Sequence, residues 1–437
     1  MVTMLAGGPV PGMSHHQMLV FLLQFAVLLI SAVLLGRLAM RLRMPAVVGE
    51  LTAGVVLGPS VFANLLPSLS GWLMPRDPSQ MHLIGAVAQL GVLLLVAVTG
   101  AHIDLNLFRR KGRAIGCVSA GSVLLPLALG IGMGFLLPAT LMGPEADRTT
   151  FALFMGIAVA ISALPVIAKT LLDMRLLHRD IGQLIVGSAA VSDIVGWLLL
   201  SIVSAMVATG VELGLVVRTV AYLIAVLAFA AVVARPLARW TLELVGSEKH
   251  PESGIATIVV LIVASAAGTH ALGMEPILGT FLCGIVIGSL GPAGRKPLSA
   301  ARPFVMSVLA PLFFATAGLQ VDLGALARPE VFLAGMVILA VAIGTKLVGG
   351  YVGARMGRLS RGESLAIGAG LNARGVVEIV LATVGLQLGV LTTASYTVII
   401  LVAVVTSMMT PPMLRYATRS IPTTSTEVER EREFSAL

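Results

Sequence analysis

Apolar runs of about 20 residues alternate with short polar or basic segments along almost the whole chain. Each run is long enough to cross about 30 Å of hydrocarbon as an α-helix rising 1.5 Å per residue. The pattern predicts thirteen spans, at roughly 17–40, 44–65, 82–103, 113–138, 150–173, 181–208, 214–240, 254–272, 275–291, 303–321, 331–354, 363–388 and 394–416. The short alternating segments of a transmembrane barrel are not seen. The expected fold is therefore an all-α, polytopic membrane bundle. Met1–Gln17 carries no basic stretch ahead of the first span, so no cleaved signal peptide is expected.

Composition agrees. Charged residues make up 11% of the 437 positions and hydrophobic residues 57%, against about 25% charged in a soluble domain. The net charge of +8 could suggest nucleic acid, but 22 of the 29 lysines and arginines fall in alternate loops and the tail, from Arg37, Arg41 and Arg43 to Arg415, Arg419, Arg430 and Arg432. By the positive-inside rule this places the N-terminus outside and the C-terminus in the cytoplasm of a cell membrane. No nucleic-acid partner is expected. Cys117 and Cys283 both lie in predicted spans, where they act as small hydrophobes. His15 and His16 have no further ligands near them in the sequence, so neither a structural metal nor a cofactor is expected.

Against this background one residue stands out. Asp193 sits in the middle of the apolar stretch Ile185–Leu200, and an acid at the bilayer midplane costs on the order of 3 kcal/mol. Such acids mark ion or proton paths, or pair with a charge on a neighbouring helix. An intramembrane aspartyl protease would need a second facing aspartate. The remaining aspartates, at 77, 104, 147, 173, 180 and 322, all fall outside mid-span positions. No enzymatic role is expected.

Two pairs of segments resemble one another in the same order. Glu50-Leu-Thr-Ala-Gly54-Val-Val-Leu-Gly58 matches Thr280-Phe-Leu-Cys-Gly284-Ile-Val-Ile-Gly288, and Thr99-Gly100-Ala-His-Ile-Asp104 matches Ala317-Gly318-Leu-Gln-Val-Asp322. Equivalent spans are seven apart, an odd number, so the duplication is inverted. This suggests a membrane domain over 1–420, with repeats at about 17–208 and 254–416 joined by a linker helix at about 214–240. A polar tail at 421–437 is expected to be disordered. Inverted repeats are a transporter architecture, with sites near the midplane where discontinuous helices cross. Pro165 interrupts the fifth span, and Asn372-Ala-Arg374-Gly375 interrupts the matching twelfth. Such breaks are tolerated where they are buried in protein or line a wet cavity.

At these motifs the chain resembles the monovalent cation–proton antiporter superfamily, in the branch of Kef-type potassium efflux systems, bacterial sodium/proton antiporters and plant cation/proton exchangers. The resemblance rests on Pro45–Ser60, Gly100–Leu105, Ser162–Lys169, Ser192–Trp197, Pro311–Leu323 and Asn372–Glu378. It implies two crossing broken helices in a core domain, a dimerisation domain and hence a homodimer, and elevator-type alternating access. It also implies that Asp193 takes either the cation or the proton. Ser162 stands where relatives often carry threonine, and Arg374 where they carry a basic residue. Ser192 departs from the Asn, Gln or Asp usual before the aspartate. With one acid instead of two, one cation would exchange for one proton, electroneutrally. With only a short polar tail after the last expected span, a nucleotide-binding domain of the Kef type is not expected.

The expected function is exchange of Na⁺ or K⁺ for H⁺ through Asp193. Oxygens of Asp193, Ser192 and Ser162 are candidate ligands of an alkali cation. Arg374 and Glu378, four apart, can pair on one helix face. Lys169 can snorkel to an interface, Lys346 can stabilise a helix end or neutralise Glu378, and Glu50 is a candidate acid of a cytoplasmic funnel. A sodium-coupled symporter of a small solute and a cation channel remain as alternatives.

Overall fold

In a computed structural model, the structure describes residues 13–42, 44–74, 78–101, 105–209, 213–245, 251–419, 421–422 and 427. The chain opens with α1 (His15–Arg41), α2 (Ala46–Leu57), the short α3 (Phe62–Leu65) and α4 (Pro67–Leu73), α5 (Pro78–Gly100) and α6 (Leu105–Leu136). It continues with α7 (Arg148–Ala160), α8 (Leu164–Asp173), α9 (Asp180–Thr209), α10 (Leu213–Phe229), α11 (Arg235–Val245), α12 (Pro251–Ala271) and α13 (Pro276–Ser289). The last part comprises α14 (Pro292–Phe304), α15 (Ala310–Gly318), α16 (Pro329–Met356), α17 (Arg361–Leu371), α18 (Val376–Gln387) and α19 (Thr393–Thr418).

Ten of the described helical stretches are long and apolar enough to cross a membrane, or eleven when the bent pair α17 and α18 counts as one. The fifth expected span is built from two shorter helices, α7 and α8, and the ninth is α13, of 14 residues. Each falls short of the roughly 20 residues that a full crossing needs. Pairs such as α10 with α11, and α14 with α15, run on through a π-helical turn.

Side-chain caps fix several helix starts by satisfying N–H groups that have no partner within the helix. Ser14 with Gln17, Ser360 with Glu363 and Thr392 with Ser395 form capping boxes at α1, α17 and α19. Asp147 caps α7 by accepting from Thr150 N at 3.1 Å and Thr149 N at 3.3 Å.

The helices pack in two groups. In one, α2 lies against α1 and α15, and α13 against α5 and α12; in the other, α6 packs on α7, α9 and α16, and α19 on α17 and α18. Val48 and Leu51 of α2 meet Val166, Gly375 and Ala403 of the second group around a small apolar pocket. Tyr396 Oη also crosses between the groups, donating to Ala317 O at 2.7 Å.

Glycines allow the closest approaches within the first group. A methyl on Gly54 would lie 1.9 Å from Ala315 O, and one on Gly318 would lie 2.2 Å from Leu51 O. The same pair of contacts recurs between α13 and α5: a methyl on Gly284 would lie 2.1 Å from Ala97 O, and one on Gly100 would lie 2.4 Å from Phe281 O. Gly284 and Phe281 stand 230 positions after Gly54 and Leu51, and Ala315 and Gly318 stand 218 after Ala97 and Gly100. These are the two offsets seen in the sequence matches. Asp104, at the end of one match, lies outside the described residues.

Candidate functional site

The site forms where two helix breaks meet. After Ala160 the chain runs extended through Ile161, Ser162 and Ala163 before α8 starts at Leu164. Pro165 falls in the first turn of α8, where its missing N–H costs nothing. The second break separates α17 from α18 at 372–375. The two are stitched together by Ala163 N donating to Ala373 O at 3.1 Å and Ser162 Oγ donating to Leu371 O at 2.9 Å. Ser407 Oγ of α19 donates to Arg374 O in the same break.

Breaking α7 inside the protein leaves its last carbonyls without helical partners. Two buried basic side chains take them up. Arg374, fully buried, donates through Nη1 to Ala158 O at 2.6 Å and through Nη2 to Val159 O. Lys346 Nζ, also fully buried, donates to Ala160 O and to Ser122 O, the latter at 2.9 Å. The charge of the Arg374 guanidinium at a helix C-terminus is favourable as well as geometrically apt. Arg374 Nη1 additionally pairs with Glu378 Oε1 at 3.2 Å, in the first turn of α18.

Asp193 arrives from α9 at 1% exposure. The N–H of Leu164 donates to its carboxylate, so the N-terminus of α8 points at the acid. Lys346 lies within electrostatic reach of it. The other carboxylate oxygen, Oδ1, has no hydrogen-bond partner. Around the same breaks, both polar atoms of Asn372 and Glu378 Oε2 are buried and unpartnered, as are Ser188 Oγ and Trp197 Nε1 on α9. Buried polar atoms are normally paired. Their concentration here marks a place where polar cargo can be held.

The expected residues divide into two sets. Asp193, Ser162, Arg374 and Glu378 belong to the α7–α8 and α17–α18 crossing through the bonds above. Ser192 is buried, but its hydroxyl turns back to donate to Ser188 O at 3.1 Å. Its oxygen keeps lone pairs for a further contact. The side chains of Pro165 and Lys169 lie outside the described residues. Glu50 leans on α1, its Cγ beside Gly36, where a methyl would approach to 3.2 Å. Sequence reasoning missed the Leu164 N–H, because backbone donors leave no mark in composition. It also passed over Asn372, although the residue stood in the polar run that marked the second break.

A pair of crossed helix breaks with a buried acid between them is a transporter arrangement. Family comparison decides which one. The family profile described as sodium/hydrogen exchanger, transmembrane, matches residues 27–416. The chain belongs to the sodium/hydrogen exchanger family. This is a family of multi-pass membrane transporters, not of enzymes. Among its relatives, the Na(+)/H(+) antiporter NhaS4 of Synechocystis is 30% identical over 411 residues, covering 92% of this chain and 98% of that protein. The Na(+)/H(+)-K(+) antiporter GerN of Bacillus cereus is 28% identical, covering 91% and 96%. The Cation/H(+) antiporter 20 of Arabidopsis thaliana is 30% identical, but only 47% of its length is spanned. The sodium proton antiporter MjNhaP1 of Methanocaldococcus jannaschii has the same fold, with a TM-score of 0.67 at 15% identity over 95% of this chain.

Proposed function

We propose that this chain exchanges Na⁺ or K⁺ for H⁺, with Asp193 as the carboxylate that carries one or the other. The single observation behind this is the burial of Asp193 with Oδ1 unpartnered beside two helix breaks. The names of NhaS4 and GerN support cation/proton exchange.

In this reading the ionised acid takes an alkali cation together with oxygens of Ser162, Ser192 and the break carbonyls, hard donors suited to such an ion. The protonated acid carries the proton instead. Two cargoes competing for one carboxylate couple a proton gradient to cation movement, and one acid makes the exchange one-for-one and electroneutral. Arg374 and Lys346 hold the broken ends in place, and Glu378 balances Arg374.

The group containing α6, α7, α9 and α16–α19 would slide as a core against the group of α1, α2, α5, α12, α13 and α15, in elevator fashion. The group containing α1 and α2 would form the homodimer contact. The paired glycine contacts favour reading the halves as an inverted repeat, and the loop charges favour an outside N-terminus and a cytoplasmic C-terminus in a cell membrane.

Exchange assayed in proteoliposomes with a trapped pH dye tests this, with Na⁺, K⁺ or Li⁺ added to wild type and to Asp193→Asn. Cation-evoked proton movement that disappears in the variant is the expected result. Exchange that persists in Asp193→Asn overturns the assignment of the carrier. A wild type that moves cations without protons, or only with an organic solute, overturns antiport.

A further inference from the structure

We propose that Asn372 is a second binding residue of the carrier site: its amide oxygen ligates the transported cation in one loaded form and accepts a hydrogen bond from protonated Asp193 in the other. This rests on the reading of Asp193 as the carrier acid.

Asn372 is fully buried, and neither Oδ1 nor Nδ2 has a hydrogen-bond partner. Leaving both ends of a buried amide unpaired is costly, so a side chain kept there needs a reason. The usual reason for asparagine at a helix end is a left-handed backbone. That does not apply here: Asn372 closes α17 with φ −73° and ψ −15°, an ordinary right-handed conformation. Its backbone N–H already reaches Ala369 O and Gly370 O. Alanine would serve the backbone equally well.

Position supplies the reason. The residues on either side of Asn372 are the two that bond the first break, Leu371 O to Ser162 Oγ and Ala373 O to Ala163 N. The next residue, Leu164, opens α8, and its N–H is directed to Asp193. The crossing thus brings an unpartnered amide and an unpartnered carboxylate oxygen to the same junction from opposite halves of the chain.

The charged groups of the two breaks are largely engaged. Arg374 and Lys346 donate to the carbonyls that end α7, and one oxygen of Glu378 is paired with Arg374. An amide is neutral and carries a separate acceptor oxygen and donor N–H₂, so it can accept from one partner while donating to another. Its oxygen suits either a dehydrated cation or the O–H of a protonated carboxyl, and its N–H₂ suits an ionised carboxylate. A second acid at this position would change the charge carried, and an apolar residue would withdraw one ligand from the cation.

The test is cation half-saturation in proteoliposomes for Asn372→Leu, Asn372→Ala and Asn372→Ser, with Na⁺ and K⁺ each assayed, beside the thermal stabilisation that each cation gives the purified protein. Loss of one oxygen ligand should raise half-saturation about tenfold, equivalent to about 1.4 kcal/mol, and change the Na⁺/K⁺ preference. Serine, which keeps an oxygen, should retain more affinity than alanine. Cation-dependent stabilisation, which follows ligand affinity, should shrink in the same order. A residue that serves only packing would alter basal melting without altering the cation increment. Half-saturation and Na⁺/K⁺ ratio within about twofold of wild type in Asn372→Leu overturn the proposal, as does an alanine variant equal to serine. If leucine fails to fold, the alanine–serine pair decides. Unchanged Asn372 variants beside an inactive Asp193→Asn remove this inference alone; an active Asp193→Asn removes the carrier reading beneath it.

Discussion

Arg374 Nη1 stands 3.2 Å from Glu378 Oε1 across the start of α18, with both side chains at or below 2% exposure. The same guanidinium holds carbonyls at the end of α7, so the pair ties one broken helix to the other. Removing one partner from a buried pair leaves an uncompensated charge, costing about 3–5 kcal/mol. Arg374→Met should therefore melt well below wild type, because it strips the caps from α7 as well as exposing Glu378. Glu378→Gln should cost less, since the carbonyl bonds survive. Arg374→Met combined with Glu378→Gln should lose less than the two single variants added together. Thermal melting of the four purified proteins completes the cycle, and strictly additive losses would show that the two residues are not coupled.

The glycine crossings predict matched damage in two places. Valine at Gly54 and valine at Gly284 both drive side-chain atoms into backbone, at Ala315 and Ala97 respectively. Overpacking of this kind costs about 1–3 kcal/mol or more. Both variants should lose stability to a similar degree. Gly132→Ala is the control: nothing lies within 4 Å of its added methyl. In mid-helix that change should be neutral or stabilising by about 0.5–1 kcal/mol. A melting comparison in one detergent checks all three, and a Gly54→Val protein as stable as wild type would contradict the close packing of α2 on α15.

These contacts show which parts of the molecule could be read from sequence. Span positions followed from hydrophobic run length, and the breaks were visible at Pro165 and at the polar run Asn372–Gly375. The glycine repeats gave the two offsets because a close helix crossing excludes every larger side chain. Partnership across 200 residues was not legible. Nothing in the sequence says that Ser162 faces Leu371, or that Lys346 of α16 reaches the end of α7. Glu50 is another case: an acid in an apolar run marks a candidate funnel residue, but its contact with α1 at Gly36 could not be read from the sequence. Most of the tail expected to be disordered lies outside the described residues. Within it, Ile421 O and Pro422 O accept from Arg179, and Glu427 accepts from Asp180 N at 2.7 Å.

Asp147 gives a stability prediction away from the carrier. The Thr150 hydroxyl, joined by the N–H groups of Thr150 and Thr149, holds its carboxyl below the usual carboxylate range. Loss of such a cap costs about 0.5–2 kcal/mol. Asp147→Ala should be destabilised by that order at neutral pH, and Asp147→Asn by much less. Because the folded-state pKa is depressed, the ionised cap contributes above the unfolded value, about 3.9. Its contribution is lost as pH falls through the folded value. The stability gap between wild type and Asp147→Ala should thus be constant near pH 7 and close in acid. A gap independent of pH would mean that the carboxylate charge plays no part in the cap.

Competition at a single acid has a kinetic signature that two acids would not share. If a proton and a cation exclude one another on Asp193 alone, each unit fall in pH should raise the cation half-saturation about tenfold in the acid limb, because one proton must leave for each cation that binds. Maximal exchange should be reached at every pH once enough cation is present. A second acid titrating with the first would steepen the dependence toward a hundredfold per unit. Glu378, with one buried oxygen unpartnered, is the residue to test for that role. Exchange rates measured over a grid of pH and Na⁺ or K⁺ in wild type and Glu378→Gln decide between the two. A slope of one that is unchanged by Glu378→Gln leaves Asp193 as the sole exchanging carboxylate. A slope of two that falls to one in the variant would make the carrier a pair of acids and the exchange two protons per cycle.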